Sequence, residues 1–202
     1  MAMPGFDTGD EIGFLETCIA NGYQLDEVVL VYCLNDVSDL MEERFANLNR
    51  LNEDQARQNW LVRNSYFVNT IYHRIKLRRD PFMKNYFNFV SGGYRGPLWQ
   101  QQQDRLKQFA NFVETHGGHL TVITFPFLHA LGVNYEFQFA HDELDRFWTT
   151  LRVPHLDLLG VFKNEKPARV VVNRFDAHPN EHANEMATSA IDSFLKKNMR
   201  GL

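Results

Sequence analysis

The sequence has little of three features that would narrow its function directly. It holds only two cysteines in 202 residues, Cys18 and Cys33, too few for a disulfide framework or a cysteine metal site, so we expect buried free thiols. It has no apolar run near the ~20 residues that a membrane-spanning helix requires, so we expect no membrane span. Its net charge of −4 argues against nucleic acid as the main partner.

No signal peptide is visible at the start of the sequence. Residues 1–5 (MAMPG) contain neither a basic region nor an apolar stretch. A signal encoded further upstream would escape this test, so the sequence leaves the cellular compartment open.

What the chain does contain is typical of one globular domain. Its length allows a sizeable core, and 44% apolar with 23% charged residues is ordinary for a folded protein. The 17 phenylalanines predict an aromatic-rich core or cleft. We therefore predict a single domain over residues 1–202.

The order of strand and helix patterns predicts a parallel α/β sheet. Residues 28–34 form a continuous β-branched and aliphatic run, which is typical of a strand covered on both faces. In the helix before it, Thr8 is the predicted N-cap and Gly22 the predicted C-cap. This order of elements favours right-handed crossovers between parallel strands. The other predicted strands are 119–125, 153–159 and 169–173. The other predicted helices are Pro97 to Gly117, one that carries Leu144, Phe147, Trp148 and Leu151, and one over about 180–197.

Residues 38–96 have a different character from the rest of the chain. They are charged, amide-rich and aromatic, with few turn signals. The spacing of Phe67, Ile71 and Ile75 indicates a helix. We therefore predict that this segment is a helical insertion within the single domain.

A short basic cluster lies inside that segment. We interpret it as a solvated helix end rather than a phosphate or membrane site, because it is short and the whole chain is acidic. The cluster consists of Arg74, Lys76, Arg78 and Arg79.

Polar residues that can act together follow two of the predicted strands. Asn35 and Asp36 end strand 28–34, and Asp176 and His178 follow strand 169–173, on a loop before the final helix. Because the carboxyl ends of parallel strands meet at one edge of a sheet, we expect these residues to converge. A histidine beside an aspartate can carry a proton, and an asparagine amide can donate a hydrogen bond to an oxyanion.

Each of these pairs also has a plain structural interpretation. An Asp-x-His pair before a helix is commonly a cap beside a surface histidine, and Asn-Asp after a strand is commonly a turn. Their joint occurrence, in this order and in these positions, favours a catalytic interpretation.

The same motifs resemble those of the SGNH (GDSL-type) serine ester hydrolases. Asn35 lies in a run similar to the family's Gly-x-Asn-Asp element, and Asp176 with His178 is similar to its terminal Asp-x-x-His element. Residues 4–8 (PGFDT) resemble the segment after the family's second strand. The resemblance implies that Asp176 and His178 are catalytic and that Gly5 and Asn35 donate to the oxyanion. It implies no metal and no cofactor.

The sequence departs from the family pattern at three places. Cys33 replaces the first glycine of Gly-x-Asn-Asp, and the spacing between Asp176 and His178 is one residue shorter than usual. Most importantly, the family's Gly-Asp-Ser nucleophile element is missing ahead of Gly5, which only four residues precede. The implied fold is a three-layer α/β/α domain with a parallel, flavodoxin-like sheet that lacks its N-terminal strands. The missing first strand would neighbour residues 28–34, so we expect an exposed apolar edge there that favours self-association.

None of the chain's own serines fits the role of the nucleophile. Ser91 lacks a preceding buried strand, and Ser38 would lie on the wrong side of the oxyanion donors. The other three, Ser65, Ser189 and Ser193, fall within predicted helices.

The implied function is therefore hydrolysis of a small acyl ester, on a sugar or a lipid, by a Ser-His-Asp mechanism. The serine would come from an upstream segment of a longer parent, and this chain alone would be inactive. Two alternatives stay open: a non-catalytic module that binds a carbohydrate or an acyl group, and a truncated gene product without a function of its own.

A metal site is a further alternative. Asp176, His178, His182 and Glu185 supply ligand types, with the two histidines four residues apart. However, Pro179 interrupts the helical geometry between them, and there is no His-Glu-x-x-His motif. We therefore predict no metal site.

Overall fold

A computed structural model of the chain describes residues 6–41, 59–79, 81–174 and 176–198, without the side chains of 77, 78 and 81–84. The described protein is mixed α/β and divides into two compact units, Met1–Asp36 with Gln102–Leu202 and Val37–Gln101. The α-helices are α1 (Thr8–Ala20), α2 (Trp60–Asn64), α3 (Tyr66–Arg79), α4 (Pro81–Gly93), α5 (Gly96–Thr115), α6 (Gln138–Leu151), α7 (Leu159–Phe162), α8 (Pro167–Val170) and α9 (Glu181–Asn198). The strands are β1 (Glu27–Cys33), β2 (His119–Phe125), β3 (His155–Asp157), β4 (Val171–Asn173) and β5 (Asp176–Pro179); Leu34–Leu40 and Leu128–Ala130 are 3-10 helices.

The main sheet of the first unit is parallel, in the order β1-β2-β3. Val31 pairs with Ile123 of β2, and Thr124 of β2 pairs with Asp157 of β3. The prediction of a parallel sheet is confirmed, and β2 has the predicted bounds. β3 is shorter than the predicted strand 153–159, because the chain turns at Leu158 into α7.

A second sheet has two short antiparallel strands, β4 and β5. The prediction of one strand over 169–173 is wrong in its first half, because Pro167 starts the helical turn α8, a position that proline favours. The predicted loop before the final helix is also wrong in part. Residues 176–179 form β5, which pairs back on β4 instead of extending the parallel sheet.

Helix α1 shows how local polar groups fix an element's ends. The predicted N-cap Thr8 is wrong: Asp7 caps the helix, its carboxylate accepting from the backbone N–H groups of Gly9 and Asp10. The Thr8 hydroxyl is instead buried and accepts a hydrogen bond of 2.8 Å from Gln102. The predicted C-cap Gly22 is one residue too late: Asn21 caps the helix, and Gly22 follows it with a left-handed φ of 83° that suits glycine.

The core of the first unit lies against the main sheet. Ile123 of β2 belongs to a buried apolar cluster with Ala183 and Ala187 of α9, completed by Leu128, Leu131, Leu158, Leu159, Phe162, Val170 and Val171. On β1, the buried Tyr32 hydroxyl accepts a 3.3 Å hydrogen bond from the Gln102 amide of α5. These contacts hold helices α5 and α9 against the main sheet.

In the second unit, every described element is helical, in agreement with the helical character predicted for 38–96. The buried rings of Tyr94 and Trp99 lie 5.2 Å apart, and the Asn69 amide donates to the Val62 carbonyl, joining α3 to α2. The division of the chain into one domain with an insertion stays a prediction. No helix among the described residues is long and apolar enough to cross a membrane.

Candidate active site

His178 and Asp176, the two predicted catalytic residues, are in direct contact on β5. His178 Nδ1 lies 2.6 Å from Asp176 Oδ1, and the backbone N–H of His178 donates to the same oxygen at 3.1 Å. Both groups therefore hold the carboxylate in one orientation. The backbone hydrogen bond, followed by the ring hydrogen bond, lowers the pKa of Asp176 below its ordinary value.

This contact fixes which ring nitrogen of His178 is available for chemistry. Because Nδ1 faces a carboxylate, the proton of the neutral ring belongs on Nδ1, and Nε2 keeps its lone pair. The side chain is 87% exposed, and no described residue forms a hydrogen bond with Nε2. An exposed, oriented imidazole nitrogen of this kind can accept a proton from a nucleophile or from water.

Asn180 holds the strand that carries the pair. Its side-chain amide donates to the carbonyls of Arg169 at 2.8 Å and Val171 at 3.2 Å, and its oxygen accepts from Ala183 N–H at 2.9 Å. The last bond satisfies one of the free N–H groups at the start of α9, as an N-cap does. One side chain therefore fixes the junction between β5 and α9.

The strand that carries the pair lies near the carboxyl end of β2. β5 contacts the 3-10 helix Leu128–Ala130, which follows the carboxyl end of β2. In that helix His129 is half-buried with its ring 5.5 Å from that of Phe127, and burial lowers the pKa of His129. The edge expected for the site is therefore the edge that β5 approaches.

In the predicted Asn35-Asp36 element, Asp36 has a structural role. Asp36 is buried, and its carboxylate accepts from the backbone N–H of Cys33 at 2.8 Å, so it stabilises the turn after β1. Asn35 is half-buried in the 3-10 helix and forms no hydrogen bond with Asp176 or His178. The other predicted oxyanion donor, Gly5, lies outside the described residues.

Cys33, at the end of β1, is not a reactive thiol in this setting. Burial, followed by the nearby carboxylate of Asp36, raises its pKa to about 12. The thiolate is the reactive form of cysteine, and it is scarce at neutral pH when the pKa is this high.

All five serines of the sequence are described, and the two in the first unit, Ser189 and Ser193, form no hydrogen bond with His178. Ser38 is buried in the 3-10 helix after β1, and Ser91 lies in the last turn of α4. Ser189 and Ser193 are in α9, as predicted, whereas Ser65 lies between α2 and α3 rather than inside a helix. The two serines that share the first unit with His178 are therefore not hydrogen-bonded to it, and the three of the second unit lie in or beside helices rather than on a nucleophile turn.

The metal alternative has no support in the structure. Among the described residues, no group of three or more His, Cys, Asp or Glu side chains is placed to hold a metal ion. The four candidate ligands Asp176, His178, His182 and Glu185 are all described, so they do not form such a group.

The structure also contains a second histidine–aspartate pair, which the sequence motifs did not reveal. His141 Nδ1 of α6 lies 2.8 Å from Asp157 Oδ1 at the end of β3, and its Nε2 lies 3.3 Å from the Tyr135 hydroxyl. That hydroxyl also accepts from the backbone N–H of Phe127 at 2.9 Å, and burial raises the pKa of Tyr135. The position of Asp157 near the end of a predicted strand was the one available signal. His141 lies 16 residues away in a helix and carried none.

Comparison with known proteins adds no assignment. No protein-family model matches the sequence, and no curated protein matches it.

Proposed function

We propose that this chain carries the proton-transfer half of an SGNH-type ester hydrolase. His178 serves as general base, Asp176 orients its ring and stabilises the imidazolium, and Asn35 and Gly5 donate to the oxyanion. The observation that carries the proposal is the 2.6 Å contact between His178 and Asp176, with Nε2 of the ring unpartnered among the described residues and exposed.

The nucleophile in this proposal is a serine from outside the 202-residue chain. It attacks the carbonyl carbon of a small acyl ester while its proton passes to Nε2 of His178. The proton then passes to the leaving alcohol, and water repeats the sequence on the acyl-enzyme. The chain alone is inactive, because its five serines lie in or beside helices rather than on a strand-to-helix nucleophile turn.

The arrangement of the main sheet is consistent with a three-layer α/β/α architecture. In the parallel register Val31 and Ile123 are paired, and Tyr32 lies on the opposite face of β1. Ile123 packs with α9, whereas Tyr32 contacts Gln102 of α5. Helices on both faces of a parallel sheet support the flavodoxin-like fold that the resemblance implies.

The edge of β1 supports self-association as a further part of the proposal. In the described residues β1 pairs with β2 alone, and Val29 and Val31 are 37% and 46% exposed. A cavity of about 450 Å³ beside them is lined by Phe6, Phe14 and other side chains. An unpaired apolar edge without proline or lysine is a template for another strand.

Two measurements test the proposed function. A fluorophosphonate probe, applied to the folded 202-residue chain and read by intact mass, should give no adduct. The DNA upstream of the Met1 codon, read in the same frame, should encode a Gly-Asp-Ser element, and the extended protein should label and hydrolyse p-nitrophenyl butyrate.

In the extended protein, His178→Ala should lower kcat by roughly 10⁶-fold, and Asp176→Asn by roughly 10⁴-fold. His182→Ala is the matched control, because His182 is an exposed histidine four residues further on, and it should keep full activity. A stoichiometric adduct on the short chain, an upstream frame without a serine motif, or activity that survives His178→Ala would each contradict the proposal.

One observation favours the alternative of a non-catalytic binding module. A surface cavity of about 660 Å³, within the size range of ligand sites, lies beside Tyr135 and has Asn134, Gln138 and Lys163 among its lining residues. Saturable binding of an N-acetylglucosamine oligosaccharide without turnover, lost in Gln138→Ala, would establish this function in place of hydrolysis.

A further inference from the structure

Exposed apolar side chains are concentrated in one part of the second unit. Trp60, Tyr66 and Phe67 are 72%, 90% and 72% exposed, values far above those expected for large aromatic residues. More than half of the exposed large hydrophobic residues in the described chain lie in α2 and α3, the others there being Leu61, Ile71, Tyr72 and Ile75. A concentration of this kind marks an interaction surface.

Helix α3 directs its apolar side outward. With 3.6 residues per turn, Phe67, Ile71 and Ile75 fall within an arc of about 80°, and all three are exposed. The opposite side of the helix carries Asn69 and His73, which are half-buried. This is the reverse of a helix that packs its apolar side on the core of its own chain.

The same region carries charges of one sign only. Residues 59–79 contain no Asp or Glu, although the whole chain has 25 acidic residues and a net charge of −4. Arg74 and Arg79 are exposed and lie on either side of the apolar arc of α3. Lys76 lies over the Tyr72 ring, 5.8 Å from its centroid.

We propose that the outward side of α2 and α3 binds the surface of an anionic lipid bilayer. Apolar side chains enter the boundary between headgroups and acyl chains, and the flanking arginines pair with lipid phosphates. Trp60, Tyr66 and Phe67 are amphipathic or aromatic anchors of the type that interfaces favour. This revises the interpretation of the basic cluster as a solvated helix end, for its described members; the Arg78 side chain lies outside the description.

The exposed aliphatic residues favour a membrane over a single-stranded nucleic acid as the partner. Nucleic-acid surfaces use aromatic rings for stacking and cations for phosphates. Exposed aliphatic side chains such as Leu61, Ile71 and Ile75 contribute little to nucleic-acid binding, whereas their burial in lipid is favourable. The net negative charge of the chain also argues against a nucleic acid.

The tryptophans supply a direct probe of this contact. The chain has three, and Trp99 and Trp148 are buried, so Trp60 alone is exposed. With vesicles of phosphatidylcholine and phosphatidylserine, its emission should shift to the blue and be quenched by brominated acyl chains. Vesicles of pure phosphatidylcholine should bind the protein more weakly, and Trp60→Phe should remove the shift without abolishing co-sedimentation.

Two double variants separate the apolar and the charged contributions. Phe67→Ser with Ile71→Ser, and Arg74→Gln with Arg79→Gln, should each weaken vesicle binding by roughly tenfold or more. The matched controls are Tyr23→Ser and Lys196→Gln with Lys197→Gln, exposed residues of the first unit that should leave binding unchanged. All altered side chains are exposed, so circular dichroism should show unchanged folding.

Three results would overturn the proposal. They are absence of binding to the mixed vesicles, equal loss of binding in the control variants, and tighter binding of labelled oligodeoxythymidine than of vesicles. A dimer that dissociates in Phe67→Ser with Ile71→Ser, without vesicle binding, would assign the surface to a second copy of the chain. The readout is vesicle binding, so its outcome is independent of ester hydrolysis.

Discussion

The His141 ring is fully buried, with Nδ1 2.8 Å from Oδ1 of Asp157, whereas the otherwise similar pair His178–Asp176 is exposed to solvent. Both ring nitrogens of His141 have partners, Asp157 on one side and the Tyr135 hydroxyl on the other. Among the described residues, His178 has a partner for Nδ1 only. The same two residue types therefore serve packing in one place and leave a free proton acceptor in the other.

Tyr135→Phe should destabilise the fold while leaving the His178–Asp176 pair intact. The substitution removes the partner of His141 Nε2 and of the Phe127 N–H, both of which the hydroxyl now satisfies. Each buried polar group left without a partner costs roughly 1–3 kcal/mol of unfolding free energy. Urea denaturation measures the loss. Tyr66→Phe, at an exposed tyrosine, is the control, and an equal loss there would refute the role of the buried network.

His155 should make stability depend on pH below neutrality. Its ring is buried between Thr124 and Asp145, and burial lowers its pKa in the folded chain. As pH falls below the unfolded value of about 6.5, the unfolded chain takes up a proton that the folded chain resists. The free energy of unfolding should therefore be full above that pH and decline as pH falls toward the folded pKa.

His155→Gln supplies the comparison for this pH effect. Glutamine does not titrate and its amide can still bond to Thr124, so the decline below about pH 6.5 should become shallower. His182→Gln changes an exposed histidine of α9 and should leave the profile as it is. Thermal unfolding across this pH range measures both, and identical slopes in wild type and His155→Gln would count against the assignment.

The sequence predicted those elements whose signals are local. β2 has the predicted bounds because its β-branched run lies between Gly118 and Pro126, and the chain after α1 turns at Gly22, which takes the left-handed conformation. The contact between Asp176 and His178 was also predictable from the sequence, since only one residue separates them. The start of α1 was not predictable in this way, because it depends on a non-local contact. Thr8 forms a buried hydrogen bond with Gln102, 94 residues away, and Asp7 caps the helix instead.

Two features near the candidate site, the pairing of β4 with β5 and the contact between His141 and Asp157, were missed because they depend on non-local contacts. Nothing in residues 171–179 distinguishes a strand of the main sheet from one that folds back on its neighbour, because both have extended backbones. His141 and Asp157 meet only when α6 packs beside β3. The spacing of residues along the sequence does not indicate such a contact.

Asn180→Ala should destabilise the junction that positions His178. The substitution removes the cap on Ala183 N–H and the two bonds to the carbonyls of Arg169 and Val171. Loss of the cap costs about 1 kcal/mol, and each lost bond adds a further ~1 kcal/mol at most. Chemical denaturation measures the sum, and hydrogen exchange at β5 should rise.

Asn184→Ala is the matched control for this substitution. Asn184 is an exposed asparagine in the first turns of α9, and its loss should change stability by less than about 0.5 kcal/mol. Equal effects of the two substitutions would show that Asn180 is an ordinary surface residue, and the account of how β5 is held would fail.

The open edge of β1 should govern self-association. Val29 and Val31 are exposed on a strand whose described pairing is with β2 alone, so the wild-type chain should gain apparent mass with concentration in sedimentation velocity. Val31→Lys places an ammonium on that edge, and burying it unpaired against a second strand costs several kcal/mol, so the Kd should rise roughly tenfold or more. Val172→Lys, at a comparably exposed valine of β4, should associate like the wild type. A chain that stays monomeric at every concentration, or a Val31→Lys variant that associates unchanged, would show that the edge is not an interface.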